Sequence, residues 1–122
     1  RSYAAKIKAD PSFISNIIIR GGKATEEEMM KKVKNGLLIN NFWYIRTVSM
    51  RKNEITGLTR DGIYYFENGK IKHSVNNLRF NQIIHEAAKN ILLLGAEENM
   101  APNIKVPTML IKDFNFADTT TF

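Results

Sequence analysis

The sequence predicts an α+β fold that is mainly antiparallel β, with two short helices. Runs of β-branched and aromatic residues, separated by turn residues, occupy most of the chain. An Asn-Gly pair joins two of these runs, which is the typical signal of a tight β-hairpin. Apolar residues recur at helical spacing in only two segments. The 122 residues are enough for a modest hydrophobic core, so we expect residues 1–122 to form a single domain.

The N-terminal part predicts one strand and the first helix. Residues 13–22 are rich in Ile and end in a Gly-Gly pair, which favours a strand followed by a turn. Residues 25–36 predict a helix, in which Thr25 is the N-cap and Glu28 completes a capping box. Gly36 stands where a left-handed residue would end this helix.

The middle of the chain predicts β structure. Residues 37–50 are long, β-branched and aromatic, and indicate one or two strands. Residues 51–57 are polar and predict a turn. Residues 62–75 predict a hairpin with Asn68-Gly69 as a two-residue type I′ turn.

The C-terminal part predicts the second helix and the last strand. Residues 81–95 have an apolar stripe at helical spacing, with Asn81 as a candidate N-cap and Gly95 as a candidate end. Residues 96–103 predict a loop, and residues 106–116 a final strand.

Composition limits the partners and the compartment. The net charge of +6 suggests nucleic acid or an acidic protein surface, but the charges are spread along the chain, which favours a solvated surface. The absence of cysteine excludes disulfides and thiol catalysis, and fits the reducing cytoplasm that we expect. No apolar run approaches the roughly 18 residues of a membrane span, so no membrane association is expected.

One stretch resembles a metal-binding motif. Residues 85–90 read "HEAAKN" and begin like the zinc-peptidase signature H-E-x-x-H. However, Lys89 stands four residues after His85, and the only other histidine is His73. A zinc site needs three or four ligands. We therefore predict no metal ligand and no catalytic residue in this chain.

Several segments follow one another in a specific order and spacing. These are an acidic-then-basic helix, "EITGLTRDG" (54–62), "YYFENGKI" (64–71), "VNNLRF" (75–80) and the closing "VPTMLIKDFNF" (106–116). In this order and spacing, rather than in any one motif, the chain resembles the C-terminal region of the TldD/PmbA family, once called modulators of DNA gyrase, from about residue 13 to 116.

The resemblance implies a curled sheet or partial barrel at the end of a longer protein, so residues 1–122 would be a C-terminal fragment. Full-length members are similar to zinc metallopeptidases that act on unfolded peptides, and they pair as dimers of TldD-like or PmbA-like subunits. Their H-E-x-x-x-H helix lies upstream of this region. The cysteine that completes the metal site in TldD-like subunits has no counterpart in "GAEENMAPN". The resemblance thus implies no cofactor in this chain, and any zinc would belong to the full-length protein.

Five residues are candidates for peptide-substrate binding, at strand ends and at the Arg-Asp-Gly bend: Trp43, Tyr44, Arg46, Arg60 and Asp61. Strand addition would bind an extended peptide through its main chain, which suits a peptidase. In the alternative reading, Trp43 belongs to the core and Arg60 simply pairs with Asp61 at a turn. A second function, less favoured, is nucleic-acid binding or a gyrase-related interaction through the basic surface.

Overall fold

The computed structural model describes residues 16–119, which form two sheets and two short helices. In chain order, the elements are β1 (Ile17–Ile18), α1 (Glu26–Lys32), β2 (Asn35–Ser49), β3 (Glu54–Glu67), β4 (Lys70–Val75), β5 (Leu78–Ile83), α2 (Ile84–Lys89), β6 (Ile91–Ala101), β7 (Ile104–Ile111) and β8 (Phe116–Thr119). The predicted α+β class, mainly antiparallel with two short helices, is confirmed.

The smaller sheet has the order β1-β7-β6, with β1 parallel to β7 and β6 antiparallel to it. The larger sheet has the order β2-β3-β5-β8, and β4 also pairs with β3. All of its pairs are antiparallel. β3 is long enough to pair with β5 through its first half and with β4 through its second half, while β2 covers its other side. Neither sheet closes into a barrel.

The first helix begins as predicted but ends earlier. The Thr25 amide donates to Glu28 Oε2 at 2.8 Å, and the Glu28 amide donates to Thr25 Oγ1 at 3.2 Å, so the capping box is present. The prediction that Gly36 ends the helix is wrong, because the helix stops at Lys32 and Gly36 lies in β2 opposite Phe66. A Cβ at Gly36 would stand 2.5 Å from the Phe66 ring, so glycine is required there for packing.

The predicted hairpin is confirmed. Asn68 and Gly69 have φ angles of 49° and 77°, as a type I′ turn requires, and they join β3 to β4. The turn predicted over residues 51–57 is wrong in its second half, since β3 already begins at Glu54. The strand predicted over residues 13–22 is reduced to β1, and its first three residues lie outside the described part.

The second helix was predicted much too long. Asn81 lies in β5 opposite Thr56 and does not cap the helix; α2 covers only residues 84–89. Gly95 lies in β6, which also takes up most of the loop predicted over residues 96–103. The final strand predicted over residues 106–116 is confirmed through Ile111, where β7 ends, but residues 112–115 form no strand and β8 begins at Phe116. Strand pairing with β3 and β7 overrides the helical spacing of the apolar residues.

An aromatic cluster forms the core on one face of the larger sheet. Phe80 is almost fully buried, and its ring centroid lies 4.9 Å from that of Phe42 and 5.5 Å from that of Phe114. The buried Thr59 hydroxyl accepts a hydrogen bond from the Leu78 amide at 2.8 Å. We call this face, which carries Phe42, Thr59 and Phe80, the core face, and the opposite side the outer face.

Candidate functional site

The site predicted from the sequence lies on β2, which is an edge strand of the larger sheet. Within residues 16–119, β2 pairs with β3 only. An edge strand of 15 residues leaves a row of main-chain N–H and C=O groups available to another chain. Its central part also exposes large apolar side chains: Trp43, Tyr44, Ile45 and Val48. The main-chain groups and the exposed apolar side chains of the predicted site thus lie along the same edge.

Three register shifts interrupt the pairing of β2 with β3, and two of them are β-bulges at the predicted site residues. Trp43 lies opposite Leu58 and Arg46 opposite Thr56, so β2 has one extra residue between these pairs, where Tyr44 has a φ of 55°. The second bulge is in β3, at Asp61-Gly62, where both φ angles are positive. Bulges of this kind bend a strand and redirect side chains.

The first bulge determines which side chains share a face. Simple alternation along a strand would place Trp43 and Arg46 on opposite faces. Thr56 and Leu58, two residues apart in β3, lie on the same face, and directly opposed residues also share a face. Trp43 and Arg46 are therefore both on the outer face.

Arg60 connects an aromatic ring to a carboxylate on this face. Its guanidinium carbon lies 4.5 Å from the centroid of the Trp43 ring, and its Nε lies 3.4 Å from Asp61 Oδ1. Asp61 Oδ2 accepts a hydrogen bond from Asn41 Nδ2 at 3.1 Å. Arg60 and Asp61 remain half exposed, so this ion pair is screened by water and contributes little to stability.

Tyr44 and Arg46 form a second unit on β2. The guanidinium carbon of Arg46 lies 4.4 Å from the centroid of the Tyr44 ring, and Nη2 donates to the Tyr44 hydroxyl at 2.6 Å. The described side chains include no carboxylate that pairs with Arg46. The Tyr44 side chain thus provides both the ring contact and the hydrogen bond of the Arg46 guanidinium.

The structure brings all five predicted residues to one region, which we call the arginine–aromatic patch: Trp43, Tyr44, Arg46, Arg60 and Asp61. The reading of Trp43 as a core residue is wrong, because 51% of its surface is exposed. The interpretation in which Arg60 pairs with Asp61 at a bend agrees with the distance of 3.4 Å between Arg60 Nε and Asp61 Oδ1. Peptide binding by the patch stays a prediction.

Sequence reasoning missed Arg79. It lies in β5 opposite Leu58, in the cross-strand row that begins at Trp43 and ends at Asp118. Arg79 is exposed and shares the outer face with the patch. Leu78 and Phe80, which flank Arg79, are both buried, and this alternation could have placed Arg79 on an exposed strand face. The three residues come just before the segment that we predicted to be a helix.

The histidines lie apart from the patch. His85 is exposed on α2, as predicted, and so are Glu86 and Lys89. His73 is exposed on β4, where its ring stacks on Tyr65 with the centroids 5.2 Å apart. No group of three or more metal-binding side chains occurs within the described part of the chain. The same residues include no helix long and apolar enough to span a membrane.

Comparison with known proteins identifies related folds. The family model described as the PmbA/TldA metallopeptidase C-terminal domain matches residues 2–118. A crystal structure from Thermotoga maritima MSB8, described as a candidate modulator of a DNA gyrase, is similar with a TM-score of 0.70 and 20% identity over 84% of the chain. The structure of TldE from Thermococcus kodakarensis is similar with a TM-score of 0.71 and 14% identity over 82% of the chain. The chain spans only 24% and 23% of these two proteins. No curated protein sequence matches the chain.

Proposed function

The chain belongs to the PmbA/TldD metallopeptidase family, of which it is a C-terminal domain, and from this premise we propose that it forms part of the wall of a peptide-binding chamber. In this role it contributes substrate contacts and dimer contacts, and it supplies no metal ligands. Zinc and the hydrolytic step belong to the rest of a longer protein or to a TldD- or PmbA-like partner subunit. Such a protein would act in the cytoplasm.

The observation that carries this proposal is the exposed edge of β2. Main-chain hydrogen bonding at a strand edge recognises any extended peptide, whatever its sequence. A peptidase that acts on unfolded chains needs this kind of tolerance. The exposed rings of Trp43 and Tyr44 beside the edge add apolar contact at a low cost in side-chain entropy.

Peptide binding to the intact protein tests this proposal. A fluorescein-labelled extended peptide of alternating Thr and Gln is titrated in the presence of a chelator, which prevents cleavage, and anisotropy reports binding. A matched peptide carries N-methyl groups on alternate amides and cannot pair along a strand edge. We expect binding of the first peptide only. Equal binding of both peptides would contradict strand addition.

A variant locates the binding surface. Trp43→Ala removes the exposed ring beside the edge and should weaken binding about two- to fivefold, the range of an exposed aromatic contact. Ile104→Ala removes an exposed apolar side chain from the smaller sheet and is the matched control. An effect of Ile104→Ala as large as that of Trp43→Ala would place the peptide elsewhere.

A second candidate function is nucleic-acid binding, favoured by the net charge of +6 and by the arginines of the outer face. It predicts an affinity that falls steeply with salt, because each phosphate contact releases counterions. A gel shift with single-stranded and duplex DNA at low and moderate salt decides between the two. Absence of a shift at low salt would dismiss nucleic-acid binding.

A further inference from the structure

We propose that the arginine–aromatic patch makes this domain selective for extended peptides that carry acidic side chains. The inference rests on the proposed addition of a peptide strand to β2. It assigns Arg46 and Arg60 the role of carboxylate-binding residues on the outer face.

The strand geometry brings peptide side chains to these arginines. A strand added to β2 would run about 4.8 Å from it, and every second side chain, about 6.6–6.8 Å apart, would point to the outer face. Arg46 lies on β2 itself and Arg60 on the adjacent β3, and both are on that face. A Glu or Asp side chain on the added strand can therefore reach a guanidinium group without any change in the sheet.

The arginines are prepared for this contact. Each guanidinium is fixed against an aromatic ring, Arg46 on Tyr44 and Arg60 on Trp43. One nitrogen of each guanidinium is already engaged, Arg46 Nη2 with the Tyr44 hydroxyl and Arg60 Nε with Asp61, and the remaining N–H groups can bind a carboxylate. Because these ring contacts favour one arrangement of each arginine, less rotamer entropy is lost when a carboxylate binds.

The same features favour a peptide over nucleic acid. The rings of Trp43 and Tyr44 each already carry a guanidinium on one face, which limits their use as stacking platforms for bases. Moreover, the main-chain groups of a strand edge match those of a polypeptide and not those of a nucleic acid.

Three labelled peptides test the selectivity on the intact protein, again with a chelator present. They share an alternating Thr-Xaa sequence, in which Xaa is Glu, Gln or Lys, so that only the charge on one face differs. We expect the Glu peptide to bind about three- to fivefold more tightly than the Gln peptide, the scale of a partly exposed ion pair, and the Lys peptide to bind most weakly.

Variants assign the effect to the patch. Arg46→Gln and Arg60→Gln should each reduce the preference for Glu over Gln, and the double variant should remove most of it. Arg46→Lys should restore part of it. Lys70→Gln removes the same charge from the exposed start of β4 and should keep the full preference. Thermal melts of the variants confirm that each is folded.

The outcomes separate the two proposals. Binding of the Gln peptide without any preference for Glu would overturn the selectivity and leave strand addition standing, as would a preference that survives in the double variant of Arg46→Gln and Arg60→Gln. Failure of all three peptides to bind would overturn strand addition, and the selectivity with it. Displacement of the Glu peptide by oligothymidylate, with a steep dependence on salt, would assign the patch to nucleic acid instead.

Discussion

The contact between Gly57 and Phe80 offers the sharpest test of the core. Gly57 lies directly opposite Phe80, and a Cβ at Gly57 would stand 2.7 Å from two carbons of the Phe80 ring. An ordinary contact begins at 3.4 Å, so the ring would have to move by about 0.7 Å. Phe42 and Phe114 both contact that ring, and they also contact each other, so the ring has little room to move toward them. Gly57→Ala should therefore destabilise the fold by about 1–3 kcal/mol, the cost of overpacking a core.

A double-mutant cycle shows whether Phe80 is the cause. Phe80→Leu alone removes buried ring carbons and should cost about 1–2 kcal/mol. In the Phe80→Leu background, Gly57→Ala no longer meets a rigid ring, so the double variant should be more stable than additivity predicts by about 1 kcal/mol. Urea unfolding followed by circular dichroism measures each free energy of unfolding. The control pair combines Phe80→Leu with Gly95→Ala in the smaller sheet, and it should be additive.

Strict additivity of Gly57→Ala and Phe80→Leu would refute this reasoning. It would mean that the cost at Gly57 arises from the Trp43 carbonyl oxygen, which lies 3.2 Å from the same Cβ position, or from the backbone. An equal coupling in the Gly95 control would show instead that Phe80→Leu loosens the whole domain.

Three further predictions concern local structure and the histidine. Gly69→Val should lower the melting temperature by several degrees, because a β-branched residue is strained at a φ of 77°, whereas the control Lys70→Val should not lower it. Equal melting temperatures of Gly69→Val and the parent protein would contradict the turn. Thr25→Ala should cost about 1 kcal/mol in urea unfolding through loss of the capping box, and no loss would mean that the cap is not used in solution. His85→Ala should leave any peptidase activity of the full-length protein nearly unchanged, since His85 is exposed and no metal-binding cluster is found among residues 16–119. A variant that is folded but inactive would show that "HEAAKN" is a functional site.

The parts of the fold that depend on local chemistry could be predicted from the sequence. The Asn68-Gly69 turn and the capping box of Thr25 and Glu28 are determined by residues within a few positions of each other. The second helix could not be predicted correctly, because Asn81 and Gly95 lie in β5 and β6 despite the low strand propensity of Asn and Gly, and the pairing of these strands with β3 and β7 overrides that preference. Short apolar runs fit both the helical period and the alternating strand period, and only pairing with other strands decides between helix and strand.

The candidate site was predictable in its residues but not in its arrangement. The exposed aromatic and basic residues of β2 were recognised, together with the Asp61-Gly62 bend. That Trp43 and Arg46 share a face depends on the bulge at Tyr44, which carries a positive φ without being glycine. A non-glycine residue in that conformation is uncommon, and nothing in its neighbours signals it. Arg79 joins the outer face through pairing between distant strands, which alternation along one strand cannot show.

Hydrogen–deuterium exchange of the intact protein tests the central claim most directly, namely that the edge of β2 receives an extended peptide. Exchange is measured with the chelator present, alone and with saturating Thr-Glu peptide, and the N-methylated peptide is the control. The account predicts slower exchange in the peptic fragments that cover residues 35–49, with little change in residues 91–111 of the smaller sheet. Unchanged exchange in β2 while the peptide is bound, or protection confined to the smaller sheet, would contradict it.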